Sequence, residues 1–585
     1  MTRLRCLLLA AALALPATPA FAADGDDQAG EAVVTGLSAE QRSGYRDVFA
    51  AIRAGDWLGA SARLAALPEG PLHSAARAEL FTAKGSPRVE LPELLSVLER
   101  APESPKAEQI ARLAQTRGAT ELPALPAAQK LVWVGSQPRR SRAEATKGDP
   151  AAAELEPLVQ PLIKDNRPYE AEAIFLQRQD QLGAEARTEY QQRIAWSYYT
   201  IGNDRDARRL AALARAGTGE WAVHGAWSEG LAAWREGDCK AAADAFGNVS
   251  GRSGDVELAA AAYYWTARAE MMCGRPERVQ GQLRAAARQK ETFYGLIAST
   301  ALGISGAGAS GLHNYRDAEW RGIAGKPNVR AALALVEIGE SELADQFLRH
   351  QARLGGTADH SALLHLAADL DLASTQYWLA HNAPRGANVN FAARYPRPGW
   401  QPTRGWRVDP SLAFAHALQE SNFRTSVISP AGAVGLMQVR PGTAGDIARA
   451  RGEPFDRQML ASPSANIEFG QSYIEVLRDH GATGGLLPKV IAAYNAGPVP
   501  VAEWNARRFD KGDPLLYIES LPYWETRGYV PIVLRNYWIY EEGAAKTGGS
   551  REALAQGMWP RFPGMPGATA VRLKADETKA TYGTE

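Results

Sequence analysis

The stretch "EYQQRIAWSYYTIGNDRDARRLAALARAG", Glu189 to Gly217, decides the fold of most of the chain. Two apolar-periodic runs flank Gly202-Asn203-Asp204, which predicts a helix, a tight reversal and a second helix. Outward from it, comparable turns follow at Gly237-Asp238 and Gly274-Arg275, so the three glycines are separated by 35 and then 37 residues. Alanines allow close helix crossings, and Trp196, Tyr198, Trp234, Tyr264 and Trp265 are large enough to fill the wider gaps. A succession of such segments from about Ser38 to Leu370, with almost no strand-like alternation, makes the expected fold all-α.

The spacing is close to that of a two-helix repeat of the tetratricopeptide kind, in degenerate form. A stacked helical superhelix is the expectation. It serves equally as a partner-binding scaffold or as a curved wall that positions another domain. Pro and Gly around "GDPAAAELEPLVQPL", Gly148 to Leu162, place a sub-boundary near 145–160.

The length of 585 residues leaves room for several domains, and 45% hydrophobic against 22% charged residues supports large cores. Lys+Arg and Asp+Glu both number 65, a balance that gives no support to nucleic-acid binding. The opening "MTRLRCLLLAAALALPATPAFAADGDD" has basic Arg3 and Arg5, a short apolar run and the Ala20-Phe21-Ala22 pattern, the marks of a signal peptide over 1–22. No later run of about 20 apolar residues offers a transmembrane anchor. Cys6 lies early in the apolar run and is not placed for lipidation. Cys239 and Cys273 sit at the start of one predicted helix and the end of the next. In an oxidising compartment an antiparallel pair would bring them together as a disulfide, the alternative being two buried thiols. No metal cluster, nucleotide loop or cofactor signature is present.

The segment "RGANVNFAARYPRPGWQPTRGWRVDP", Arg385 to Pro410, breaks the helical pattern and reads as an ordered connector. Beyond it Asp409 is placed to cap a helix beginning at Pro410, whose last turn holds Glu420. Helix-end carbonyls and partial burial would raise the pKa of that carboxyl, as a general acid requires. Position alone also fits an ordinary surface glutamate. Gly432 and Gly435 suit a tight turn, after which Leu436 to Val439 are expected to start a short helix. Met437 reads as a soft wall or core filler, and Gln438 as a ligand hydrogen-bonder or a backbone cap.

Five fragments in one order sharpen these readings: "QESNF", "SPAGAVGLMQVRPGTA", "NIEFGQSYI", "AAYNAGP" and "ESLPYWETRGYV". Together they resemble the soluble lytic transglycosylases, periplasmic proteins with a goose-type lysozyme-like catalytic domain. "FYGLIAS" and "RYPRPGW" upstream resemble the long soluble branch. The resemblance implies a helical superhelix over 23–384, a connector over 385–408, a lysozyme-like domain over 409–545 and a tail over 546–585. It implies export to the periplasm of a Gram-negative bacterium and peptidoglycan glycan strands as the partner.

It also implies roles. Glu420 is the catalytic acid and base; Ser429, Met437, Gln438, Tyr494, Asn495 and Glu525 bind substrate, with the Tyr494 hydroxyl near the reacting sugar. Ser421, Gly435, Asn466, Arg527 and Tyr529 support the site, Tyr529 mainly by packing. Ordinary glycosidases use a second carboxylate, yet Asp446 and Glu453 have no spacing that recommends them. In the family one glutamic acid protonates the glycosidic oxygen, then takes the proton of the C6 hydroxyl of N-acetylmuramic acid, which closes to a 1,6-anhydro end. A hydrolytic muramidase and a non-enzymatic cell-wall scaffold are the alternatives.

Overall fold

A computed structural model describes residues 36–304, 317–507, 509–546 and 548–574. The signal-peptide reading over 1–22 lies outside the described residues, as does the end of the tail. Helices dominate the described residues, with two short antiparallel strand pairs, Val132–Trp133 with Asn382–Ala383 and Trp559–Pro560 with Ala570–Val571. No helix among them is long and apolar enough to cross a membrane.

The helices Ala184–Thr200, Asp204–Arg215, Gly219–Glu236, Cys239–Arg252 and Val256–Met272 pack each on the next. Ala184–Thr200 also packs on Gly219–Glu236, so successive hairpins stack. Gly202, Gly237 and Gly274 take φ of 84°, 82° and 68° at the reversals. That left-handed conformation lets the chain leave each helix at little steric cost. Aromatic side chains fill the spaces between alanine crossings: Trp234 and Trp265 meet edge to face with ring centroids 5.2 Å apart. A disulfide joins Cys239 to Cys273 across 34 residues.

The chain from Arg117 to Asp149 departs from the expected run of helices. Pro123, Pro126 and Pro138 remove backbone donors and fix φ, so no helix forms there. This strap instead borrows partners from distant elements. Gln129 N–H donates to the Arg353 carbonyl at 2.8 Å, Val134 to His381 at 3.0 Å and Thr146 to Glu189 at 2.7 Å. Residues distant in sequence are bonded directly: Leu37 N–H donates to Glu337 at 3.1 Å, and Arg46 to the Glu337 carbonyl at 3.2 Å.

After the connector, helices Pro410–Ser421, Pro463–Asp479, Leu487–Ala496, Pro514–Glu519 and Trp524–Gly543 surround a common core that is continuous with that of the stacked hairpins. Polar ties reinforce the junction. Tyr199 and Ser520 hydroxyls lie 2.7 Å apart, and Arg268 pairs with Asp513 at 2.6 Å. The tail turns back as well, with helix Gly549–Ala555 on helix Phe293–Ala301 and buried Trp559 donating to the Gly512 carbonyl at 2.8 Å.

Candidate active site

Helix Pro410–Ser421 begins where Asp409 accepts the Ser411 N–H at 2.8 Å and Pro410 fills the first helical position. It ends at Asn422, whose φ of 52° turns the chain out at once. Its Leu412, Ala415 and Leu418 are buried, which fixes the rotation of the helix. Glu420 is thereby presented half-buried at the last turn.

One oxygen of that carboxyl is held. Tyr529 donates a 2.6 Å hydrogen bond to Glu420 Oε1 from helix Trp524–Gly543. Burial lifts the carboxyl to a pKa of about 7; the Tyr529 bond opposes the rise and the Glu525 charge adds to it. A group with such a pKa exchanges a proton readily in either direction near neutrality.

Behind the carboxyl lies a closed set of rings. His416, fully buried one helical turn before Glu420, has Nδ1 2.9 Å from the Tyr529 hydroxyl. Its ring centroid is 4.4 Å from that of Tyr494, which is in turn 5.4 Å from Tyr473. The Tyr494 hydroxyl donates to the Met437 carbonyl at 2.8 Å.

The glycine-rich segment forms a two-sided turn and not the expected short helix. Val434 and Val439 exchange both backbone hydrogen bonds, 3.0 and 3.1 Å, while Gly435 and Gln438 take φ of 76° and 47°. A helix cannot contain two such residues. Asn466, wholly buried, anchors the turn: it accepts from Met437 N–H at 2.8 Å and donates to the carbonyls of Val434 at 2.9 Å and Leu460 at 2.7 Å.

Several expected ligand contacts are occupied by structure. The Met437 side chain has no exposed surface and packs into the space beside Gly470, so it is core, and only its carbonyl faces Tyr494. The Gln438 amide nitrogen donates to the carbonyls of Gly435 and Val427, at 2.8 and 3.2 Å. Ser429 caps its own turn by accepting from Ala433 N–H at 3.1 Å, and buried Ser421 donates to the Ala417 carbonyl at 3.2 Å.

Asn495 and Glu525 do come together. Asn495 donates to Glu525 at 3.3 Å and accepts from the Thr526 hydroxyl at 2.6 Å. Glu525 is exposed at the rim on the helix that carries Tyr529. Arg527 points away: it donates to the Leu521 carbonyl at 2.7 Å and stacks over Trp196 of the hairpin stack at 3.9 Å, where burial lowers its pKa to about 9. Tyr529, expected to pack, is the direct partner of the Glu420 carboxyl. His416 and Tyr473 carried no expectation; the four-residue step from His416 to Glu420 on one helix face was the available signal for the former.

Other acids of this region are committed elsewhere. Asp446 pairs with Arg449 at 2.8 Å, Glu453 with Arg404, and Glu468 with Arg407 at 2.8 Å and Arg451 at 3.0 Å. Among the described residues no group of three or more His, Cys, Asp or Glu side chains could hold a metal ion.

Residues 401–516 match the model of the Transglycosylase SLT domain. The soluble lytic murein transglycosylase of Salmonella typhimurium is 36% identical over 162 residues, 27% of this chain and 24% of that protein. Its Escherichia coli K12 counterpart is 38% identical over 149 residues, 25% of this chain and 23% of that one. The aligned stretches thus span about a quarter of these relatives' length. The crystal structure of the 70 kDa soluble lytic transglycosylase from Escherichia coli shares the fold, with a TM-score of 0.56 at 18% identity over 89% of this chain and 99% of that one. Lytic transglycosylase Slt from Pseudomonas aeruginosa gives 0.51 at 19% over 86% and 81%.

Proposed function

We propose, from the match of residues 401–516 to the Transglycosylase SLT domain model, that this chain is a lytic transglycosylase of peptidoglycan. It cleaves the β-1,4 bond between N-acetylmuramic acid and N-acetylglucosamine and leaves a 1,6-anhydromuramoyl end. The observation that carries the reading is one half-buried carboxyl, Glu420, with a pKa near 7 and only one of its oxygens held by Tyr529.

In the first step the proton of the carboxyl passes to the glycosidic oxygen, and the bond to the anomeric carbon breaks. The positive centre forms beside the new carboxylate, which favours it electrostatically. In the second step the carboxylate removes the proton of the C6 hydroxyl as that oxygen bonds to the anomeric carbon. Glu420 ends protonated, as it began, and no water is consumed. Tyr529 stabilises the intervening carboxylate through a charge-assisted hydrogen bond. Asn495 and Glu525 line the rim as polar partners for the sugar, and Gln438 offers its amide oxygen.

The remaining roles follow the same reading. The stacked hairpins are a tetratricopeptide-like superhelix over 23–384 that presents glycan strands to a lysozyme-like domain over 409–545. The signal-peptide pattern of the sequence and the Cys239–Cys273 disulfide support a periplasmic enzyme of a Gram-negative bacterium.

A hydrolytic muramidase is the second reading, favoured by one observation: Glu525 is exposed and near enough to raise Glu420, so it is a candidate base for water. The test of the proposal is Glu420→Gln, which is expected to abolish cleavage of purified sacculi while leaving sacculus binding in a pull-down intact. Cleavage by that variant would sink the reading; products with a normal reducing end, lost in Glu525→Gln as well as in Glu420→Gln, would favour the hydrolase.

A further inference from the structure

We infer that His416 is a positioning residue which, through Tyr529, confines the proton of the Glu420 carboxyl to Oε2, the oxygen that Tyr529 does not touch. The inference rests on Glu420 being the acid of the proposed reaction.

The Tyr529 oxygen lies between two partners, Glu420 Oε1 at 2.6 Å and His416 Nδ1 at 2.9 Å. A phenol has a single hydrogen, so it donates to one of them only. If it donated to Nδ1, the ionised form of Glu420 would set a bare carboxylate oxygen against a phenol lone pair at hydrogen-bond distance. That arrangement is repulsive. If Tyr529 donates to Oε1, Nδ1 carries a hydrogen and donates to Tyr529, and every atom in the row is satisfied.

The far side of the imidazole points the same way. His416 is fully buried, and its Nε2 has no hydrogen-bond partner among the described residues. A hydrogen there would be an orphaned buried donor, the rarer and costlier defect, whereas a lone pair is tolerated. Burial keeps the ring neutral, with a pKa lowered to about 3. A single tautomer, hydrogen on Nδ1, therefore meets both constraints.

Its consequence reaches the reacting atoms. With the Tyr529 hydrogen aimed at Oε1, that oxygen accepts better as the carbonyl of the acid than as its hydroxyl, so the proton favours Oε2. The other groups facing the carboxyl do not compete. Tyr494, from helix Leu487–Ala496, commits its hydroxyl to the Met437 carbonyl, and Glu525, on the Tyr529 helix, brings only negative charge. The order His416 to Tyr529 to Oε1 fixes where the proton is delivered.

Two substitutions separate this role from packing. His416→Leu keeps an apolar side chain of similar size and removes the donor; His416→Asn keeps a donor on a short side chain. Glu420 is followed in the full chain by the titration of its 13C-labelled carboxyl, assigned by its loss in Glu420→Gln, together with the pH profile of cleavage. For His416→Leu we expect the titration and the alkaline limb to move up together by about half a pH unit or more. We also expect kcat to fall about tenfold with KM within about twofold. His416→Asn restores most of both, and adding His416→Leu to Tyr529→Phe produces no further shift.

A drop in kcat with the titration and limb unmoved would overturn the inference, as would a His416→Leu shift that persists in the Tyr529→Phe chain. If the wild-type chain releases no anhydro product while the titration shift appears, the reaction assignment fails and the role of His416 stands.

Discussion

Arg140 and Glu519 form a bidentate ion pair, 2.5 and 2.7 Å, between the extended strap and helix Pro514–Glu519. Glu519 is fully buried and also accepts from Tyr294 at 2.6 Å, whose hydroxyl takes the Trp265 N–H at 2.9 Å. Four side chains from strap, hairpin stack and C-terminal region thus share one polar network. Removing one member of a buried pair leaves the other charge uncompensated. Arg140→Ala is expected to cost about 3–5 kcal/mol in denaturant unfolding. Arg140→Met combined with Glu519→Gln should recover much of that loss. A near-silent Arg140→Ala would mean that the strap is not integral to the fold.

Stability and pH are linked through Glu420. Its folded pKa of about 7 lies above the ordinary 4.5, so between these values the folded chain holds a proton that the unfolded chain has released. Stability from this group is therefore complete below about pH 4.5 and falls as pH rises through about 7. Glu420→Gln removes the cost of the buried charge, and melting curves should show it more stable than wild type above about pH 7, by up to about 3 kcal/mol. The two should converge at acid pH. Equal stability at all pH values would contradict a desolvated carboxyl.

The turn that faces the site depends on Gly435. At its φ of 76° a Cβ would lie 2.3 Å from Asn466 Nδ2 and 2.4 Å from the Leu460 carbonyl. Neither neighbour can yield, because Asn466 anchors the turn by three hydrogen bonds. Gly435→Ala is expected to destabilise by roughly 3 kcal/mol, strain and clash together, and to lower activity with it. Asn466→Ala should do comparable damage by removing the partner of the buried Met437 N–H and of the Leu460 carbonyl and one of the two donors to the Val434 carbonyl. Thermal unfolding with a parallel sacculus assay checks both.

Reduction should loosen the hairpin stack first. The Cys239–Cys273 bond closes a loop of 34 residues, for which chain entropy predicts about 3–4 kcal/mol of stabilisation. Dithiothreitol, or the double Cys→Ser variant, is expected to lower the melting temperature. The unchanged temperature of either would show that the link is dispensable.

Local signals were legible in the sequence where one residue type has one physical reading. Asp409-Pro410 announced the start of the Glu420 helix, and the glycines at 202, 237 and 274 announced reversals, because capping and left-handed φ are local properties. The strap was not legible as structure, since its partners at Glu189, Arg353 and His381 are far away in sequence. The turn at Val434 to Val439 was misread as a helix because Gln438, a good helix former, adopts positive φ there under the control of Asn466. For Met437 and Gln438 the residues alone leave wall or filler and ligand or cap both open, because residue type does not reveal that the Met437 side chain is buried and that the Gln438 amide nitrogen bonds the turn. Tyr529 looked like packing because its bond to Glu420 spans 109 residues.

The most direct measurement is the mass of the muropeptides that the wild-type chain releases from purified sacculi. The account predicts products lighter by one water than the hydrolytic ones, without a reducing end, and absent with Glu420→Gln. Products carrying a normal reducing end would contradict it and assign the cleft to a hydrolase.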